Sequence, residues 1–192
     1  MDTKNFNYID KIIANLRLNR VTSFVDKNDC ILDFGCGTRS LLLNKINKKI
    51  KLGVGLDYDV KSGKEGNIEY INYKFNEKLP FDEKSFDKIF LLAVLEHISI
   101  KKVKKLFLEF KRVLKNNGKI IMTTPTPKSK KILEILAYKM KLISNKEIKD
   151  HKKYYDKNEI ISLAKECNLQ LTSYNLFQFG LNSLVVMIKI NQ

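Results

Sequence analysis

"ILDFGCGTRS", Ile31 to Ser40, is the stretch on which the fold turns. An apolar run of strand length ends in Asp-x-Gly-x-Gly and is followed at once by the helix-like "SLLLNKI". Two glycines spaced one apart between a strand and a helix let the backbone turn sharply and pass close to a ligand with no Cβ in the way, while the helix start offers unpaired N–H groups.

Outward from that loop, strands and helices alternate. "KLGVGLD", "IEYINY", "FDKIFLLAV" and "KIIMTT" read as further strands. Lys101 to Lys115 reads as a helix because Val103, Leu106, Phe107, Phe110, Val113 and Leu114 share one face; it stops at "NNG", with Gly118 available for a left-handed residue. Asp156, with Glu159 three residues later, marks a capping-box start to a last helix whose apolar face is Ile160, Leu163, Ala164 and Cys167. "LQLTSYNLF" and "SLVVMIKI", separated by "QFGLN", suit an antiparallel hairpin. Before all of these, Ile9, Ile12, Ile13 and Leu16 recur at helical spacing and predict an amphipathic helix from Tyr8 to Val25. Such alternation predicts an α/β chain, with a mostly parallel sheet covered by helices on both faces. Ligands of such sheets bind beyond the carboxyl ends of the strands, where "DFGCG" lies.

Asp57 ends the second strand, 20 residues after Gly37, where a carboxylate can accept two ribose hydroxyls. The ligand is therefore of adenosine type. A dinucleotide fits less well, because the position that a Gly-x-Gly-x-x-Gly loop fills with its third glycine is Ser40. Asp33 would also repel a pyrophosphate, whereas it suits an ammonium group. S-adenosylmethionine carries an amino group and a sulfonium and no phosphate.

The 192 residues, 44% of them hydrophobic, suit one domain with its own core, spanning 1–192. Within it the expected parts are an N-terminal helical segment, 1–28, and a basic lid-like insertion, 126–155. Cys30, Cys36 and Cys167 lack metal-site spacings, so no metal is expected and they read as reduced thiols of a cytoplasmic protein. No apolar run approaches the roughly 20 residues that span a bilayer. The net charge of +15 is uneven: 18 Lys or Arg stand against 5 Asp or Glu between Lys101 and Lys157. RNA, the headgroups of an anionic membrane surface and a phosphorylated substrate are the partners such a field would attract. In the insertion, Ile132, Ile135, Leu136, Lys139, Met140 and Ile143 form a mainly apolar stripe flanked by lysines, a pattern that serves first to cover the sheet, then to close over a site, and least to lie on a membrane.

The ordered set "LDFGCGT", "VGLDYD", "LPFDEKSFDKIFLLAVLEHI", "FKRVLKNNGKIIMTTP" and "HKKYYDKNEIISLAKECNL" resembles the class I S-adenosylmethionine-dependent methyltransferases, over roughly Cys30 to Ile190. The resemblance implies a three-layer Rossmann-like sheet of seven strands in the order 3-2-1-4-5-7-6, the last strand antiparallel. It implies Asp33, Gly35, Cys36 and Gly37 around the methionine part of the cofactor, Asp57 with Tyr58 at the ribose, and Leu92 and Ala93 as backbone neighbours. The family often carries an acid for the adenine before "LPF"; here Phe75 or Lys74 stands in that place, and Asn76 is the candidate to bond adenine. Arg39 stands where many members have a third glycine. His97 in "LEHI" and His151 in "HKKYY" are the candidate bases. Three functions stay open: transfer to a small molecule, such as a sugar, a biosynthetic intermediate or a lipid-linked precursor; methylation of RNA through the basic half; or cofactor binding without catalysis.

Overall fold

The computed structural model describes residues 8–134 and 152–190. Its centre is a sheet of eight strands: β1 (Cys30–Phe34), β2 (Leu52–Asp57), β3 (Gly63–Glu65), β4 (Ile68–Asn72), β5 (Phe86–Leu92), β6 (Leu114–Pro125), β7 (Leu169–Phe177) and β8 (Asn182–Lys189). They lie in the order β3-β4-β2-β1-β5-β6-β8-β7. The strands from β4 to β6 pair in parallel, and β8 runs antiparallel to both of its neighbours. Seven of the eight follow the expected 3-2-1-4-5-7-6 order. The eighth, β3, corrects the strand count: it is a three-residue polar edge strand, antiparallel to β4, whose "GKE" carries no hydrophobic pattern by which sequence could have revealed it.

Helices cover both faces: α1 (Tyr8–Val21) and α2 (Leu41–Ile46) on one, α3 (Ile100–Val113) and α5 (Lys157–Glu166) on the other, with the short α4 (Ser129–Glu134) after β6. Side chains alternate along each buried strand. Leu32, Ile89, Leu91, Ile120 and Met122 meet Val103, Phe107, Phe110, Ile160 and Leu163, while Ile31, Phe90 and Ile121 meet Leu18, Val21, Leu42, Leu43 and Ile46. The five α3 residues Val103, Leu106, Phe107, Phe110 and Val113 are all buried, each worth about 1.5–3 kcal/mol of apolar transfer. The α5 capping box forms as expected: Asp156 accepts from the Glu159 amide at 2.9 Å, and Glu159 accepts from the Asp156 amide at 2.9 Å.

Two local expectations are corrected. At "NNG" the left-handed residue is Asn117, with φ 58°, and not Gly118. Gly118 is needed for space, because a Cβ there would lie 2.9 Å from the Lys115 carbonyl oxygen and 3.1 Å from that of Asp87. The N-terminal α-helix ends at Val21 and gives way to one 3-10 turn, Thr22–Phe24, short of Val25. Ile12 and Leu16 of its apolar stripe are 43% and 49% exposed; Leu18 and Val21 make the core contact. Periodicity reported an apolar face but not what that face meets.

Candidate active site

Every feature of the site lies at the carboxyl ends of the parallel strands. Strand β1 delivers Asp33 and the glycine loop, β2 delivers Asp57, and β5 delivers Leu92 and Ala93. Gly35 has φ +77° and is wedged against Val94, whose Cγ2 would be 2.4 Å from an added Cβ. Only glycine fits there. Gly37 has φ +66°, and the space a Cβ would take is empty of other residues, which leaves a cradle beside the loop. The Gly35 amide donates to the Leu56 carbonyl at 2.7 Å, binding the loop to β2. No glycine follows at Arg39, and the left-handed residue that leads into α2 is instead Ser40, with φ 42°. Ser40 closes the turn with its amide on the Gly37 carbonyl at 3.2 Å.

Asp57 is buried. One carboxylate oxygen accepts from the Gly37 amide at 2.9 Å, and the other from the Asp59 amide at 3.0 Å. Asp33 is buried too. Burial, then the Asp57 charge, pushes its carboxyl up to about 7. Among the described residues no hydrogen bond or ion pair reaches the Asp33 carboxylate, so a cationic ligand group would find an uncompensated partner there. Burial likewise raises the Cys36 thiol to about 12, with the Asp33 charge adding to it; Cys36 is a packing neighbour and not a nucleophile. The Cys36 sulfur would be 3.0 Å from a Cβ at Gly55, which explains the glycine in β2.

Tyr58 is exposed beside Asp57, and its carbonyl accepts from the Asn72 side chain at 2.9 Å. Asn76 is exposed, and its amide oxygen accepts from the Lys102 ammonium at 3.0 Å. Phe75 stands edge-on to Phe34, ring centres 6.3 Å apart. Ala93 is buried with φ 55°, a strained conformation for a residue with a Cβ, and its amide donates to Thr123 of β6 at 2.9 Å.

Beyond Ala93, "LEH" forms a one-turn 3-10 helix, Leu95–His97. Glu96 neither faces solvent nor stands alone: its carboxyl is buried, raised by that burial, and accepts from the Thr124 hydroxyl at 3.1 Å. Its carbonyl accepts the Lys152 amide at 2.6 Å. His97 is half-buried next to it. His151 lies outside the described residues. Thr124 and Glu96 thus put a buried polar pair on this side of the site; Thr123, next to Thr124 along β6, points to the other face of the sheet, and the Thr123 and Tyr155 hydroxyls find no partner among the described residues.

Two residues that sequence reading passed over hold the "LPF" motif in place. Glu109 and Arg112 of α3 form a two-point ion pair; Arg112 also donates to the carbonyls of Phe81 at 2.9 Å and Leu79 at 3.2 Å, while Glu109 accepts the Leu79 amide at 2.7 Å. The signal was available, as an acid and an arginine three apart on the side of α3 away from its apolar stripe.

The methyltransferase domain family matches residues 2–174. The chain belongs to that family. It is a class I methyltransferase domain, and S-adenosylmethionine is its cofactor. Gly37's open cradle and the unpaired Asp33 carboxylate fit that molecule's compact ammonium end. No curated protein matches significantly. Among solved structures, an S-adenosylmethionine-dependent methyltransferase from Mesorhizobium loti is similar at TM-score 0.68 and 14% identity, over 88% of this chain and 96% of that one. Another from Methanosarcina mazei is similar at 0.65 and 17%, over 90% and 98%. The cyclase SpnF, at 0.66 and 10%, over 95% and 82%, shares the same fold. The methyltransferase fold is therefore shared with a protein named for a different reaction.

Proposed function

We propose that the protein transfers the methyl group of S-adenosylmethionine to a small-molecule acceptor: a sugar, a biosynthetic intermediate or a lipid-linked precursor. The observation that supports this reading is the acid just beyond the β5 end: Glu96, buried and accepting from the Thr124 hydroxyl at 3.1 Å with the half-buried His97 beside it, gives the site a recessed polar wall that suits a small molecule more than a nucleic-acid strand. The cofactor supplies an activated methyl bound to a sulfonium. In the reading advanced here, Asp33 faces its ammonium, the loop from Gly35 through Cys36 to Gly37 follows its amino-acid end, and Asp57 accepts its ribose hydroxyls. Tyr58 and Asn76 flank the adenosine, and the backbone at Leu92 and Ala93 borders the reacting end. The protein's part is alignment of the nucleophile and exclusion of water. For a hydroxyl acceptor, His151 and His97 are the bases we propose.

Methylation of RNA is the second reading, favoured by the charge excess between Lys101 and Lys157. Calorimetric titration with S-adenosylmethionine, S-adenosylhomocysteine and NADH, alongside Asp57→Ala, tests the cofactor assignment. Saturable binding of the first two, lost in the variant, followed by methyl transfer to small acceptors and not to RNA, is the expected result. Folded protein that binds neither overturns the reading. Binding without turnover on any acceptor would leave a cofactor-binding protein in place of an enzyme.

A further inference from the structure

The turn between β7 and β8 carries a feature that the methyl-transfer reading leaves unused. Gln178, Phe179 and Gly180 have φ of 51°, 57° and 81°, three left-handed residues in succession. Positive φ is rare for a bulky aromatic residue, and Phe179 is fully exposed, so no packing among the described residues offsets its strain or covers its apolar surface. On both faces of the sheet next to the turn, other large apolar side chains are also exposed, Leu176 pointing to the face opposite Phe177 and the α1 residues lying on the Phe177 face. Leu176 is exposed on β7, Ile12 and Leu16 on α1, and Ile132 on α4.

Hydrogen bonds hold these pieces together. The Gln178 side chain donates to the Ile13 carbonyl of α1 at 3.3 Å. Thr126, just before α4, donates its hydroxyl to the Gly180 carbonyl at 2.8 Å and its amide to the Leu181 carbonyl at 2.9 Å. Exposed Lys128 and Lys130 follow Thr126, and Arg20 of α1, also exposed, stands 5.8 Å from the centre of the Phe177 ring. The tip is thus an apolar projection with cations beside it.

We propose that this tip, Gln178 to Leu181 with the adjoining ends of α1 and α4, docks on an anionic membrane. An aromatic side chain at an exposed turn enters the interface while neighbouring lysines meet acidic headgroups. The aliphatic neighbours Leu176, Ile12, Leu16 and Ile132 favour a lipid surface over RNA, whose bases call for stacking platforms. Pairing of Pro125 with Asn182 puts the tip at the carboxyl ends of the parallel strands, on the rim that carries the cofactor loop. Three strand spacings, about 14 Å, separate β1 from β8 along the sheet. Docking there would bring the site to the lipid surface, which makes a lipid-borne acceptor the favoured class; that last step alone rests on the proposed function.

Cosedimentation of the full chain with phosphatidylcholine vesicles, with and without phosphatidylglycerol, tests this. The expected result is binding to the anionic vesicles only, weakened by salt, and about tenfold or more weaker in Phe179→Asn, which keeps a residue tolerant of positive φ but removes the ring that would enter the lipid. Lys128→Gln with Lys130→Gln is expected to lose most of the preference for phosphatidylglycerol. Equal binding by the protein and Phe179→Asn, or no vesicle binding, overturns the proposal, as does an RNA competitor that Phe179→Asn binds as well as the unaltered chain while vesicles are ignored. Titration of the same samples with S-adenosylmethionine separates the two readings. Cofactor binding without vesicle binding sinks the docking surface alone; the reverse sinks the cofactor assignment alone.

Discussion

The Gly37 amide donates to the Asp57 carboxylate at 2.9 Å, tying the end of the glycine loop to the end of the neighbouring strand 20 residues on. That bond sets the loop's height above the sheet before any ligand arrives. With one Asp57 oxygen on Gly37 and the other on Asp59, the carboxylate keeps its remaining lone pairs in a fixed direction. Asp57→Ala is expected to weaken S-adenosylmethionine binding by tenfold or more, in line with about 1.5–3 kcal/mol for a hydrogen bond to a charged group. Calorimetry on variants verified as folded by circular dichroism measures it.

Gly35→Ala is expected to destabilise the fold by about 2 kcal/mol or more, from the positive φ and from the Val94 side chain. Adding Val94→Ala is expected to recover the steric part and leave the conformational part. Denaturant midpoints of the two single variants and the double variant separate them.

Asp33 supplies a pH prediction. Its carboxyl, raised from 3.8 to about 7 by burial and by the Asp57 charge, keeps in the folded chain a proton that the unfolded chain has already released. Its contribution to stability is fully present below the unfolded value and is lost as pH rises through about 7. An ammonium ligand acts the opposite way, since it favours the carboxylate. Affinity for S-adenosylmethionine is therefore expected to rise from about pH 5 to about 7 and to level off above it, while ligand-free stability falls over the same range, and Asp33→Asn is expected to flatten both. Calorimetric and thermal-melt series across that window measure the two trends.

Lys88 is buried and donates to Asp29 at 2.5 Å and to Asp26 at 2.6 Å. Asp29 is buried, whereas the Asp26 side chain is largely exposed. Lys88→Met is therefore expected to cost about 3–5 kcal/mol, by leaving the Asp29 charge uncompensated. Asp26→Asn is expected to cost about 1 kcal/mol or less. Equal losses in urea unfolding would show that the buried partner is not what matters.

Much of this architecture was legible because each signal had a local physical cause. Short runs dominated by apolar residues on both alternations, such as "CILDF" and "FDKIFLL", read as strands covered on both faces. The Asp156–Glu159 spacing can satisfy two orphan amides, and Gly35 stands where a Cβ would strike Val94. What escaped was decided by tertiary surroundings. The polar strand β3 exists only because β4 offers it an edge. The glycine at 118 answers to crowding by the Asp87 carbonyl on a neighbouring strand, a contact the local sequence does not display. Glu96, an ordinary surface acid by its sequence, is drawn inside by Thr124 and by the chain at Lys152.

The position of β8 between β6 and β7 also bears on how the chain is made. During synthesis from the N-terminus, the strands from β1 to β6 can assemble around the glycine loop, yet the outer edge of β6 waits for residues 182–189. Until they emerge, a long apolar strand presents bare amides and carbonyls. The nascent domain can thus hold its cofactor loop while remaining open to wrong pairings until residues 182–189 pair with β6.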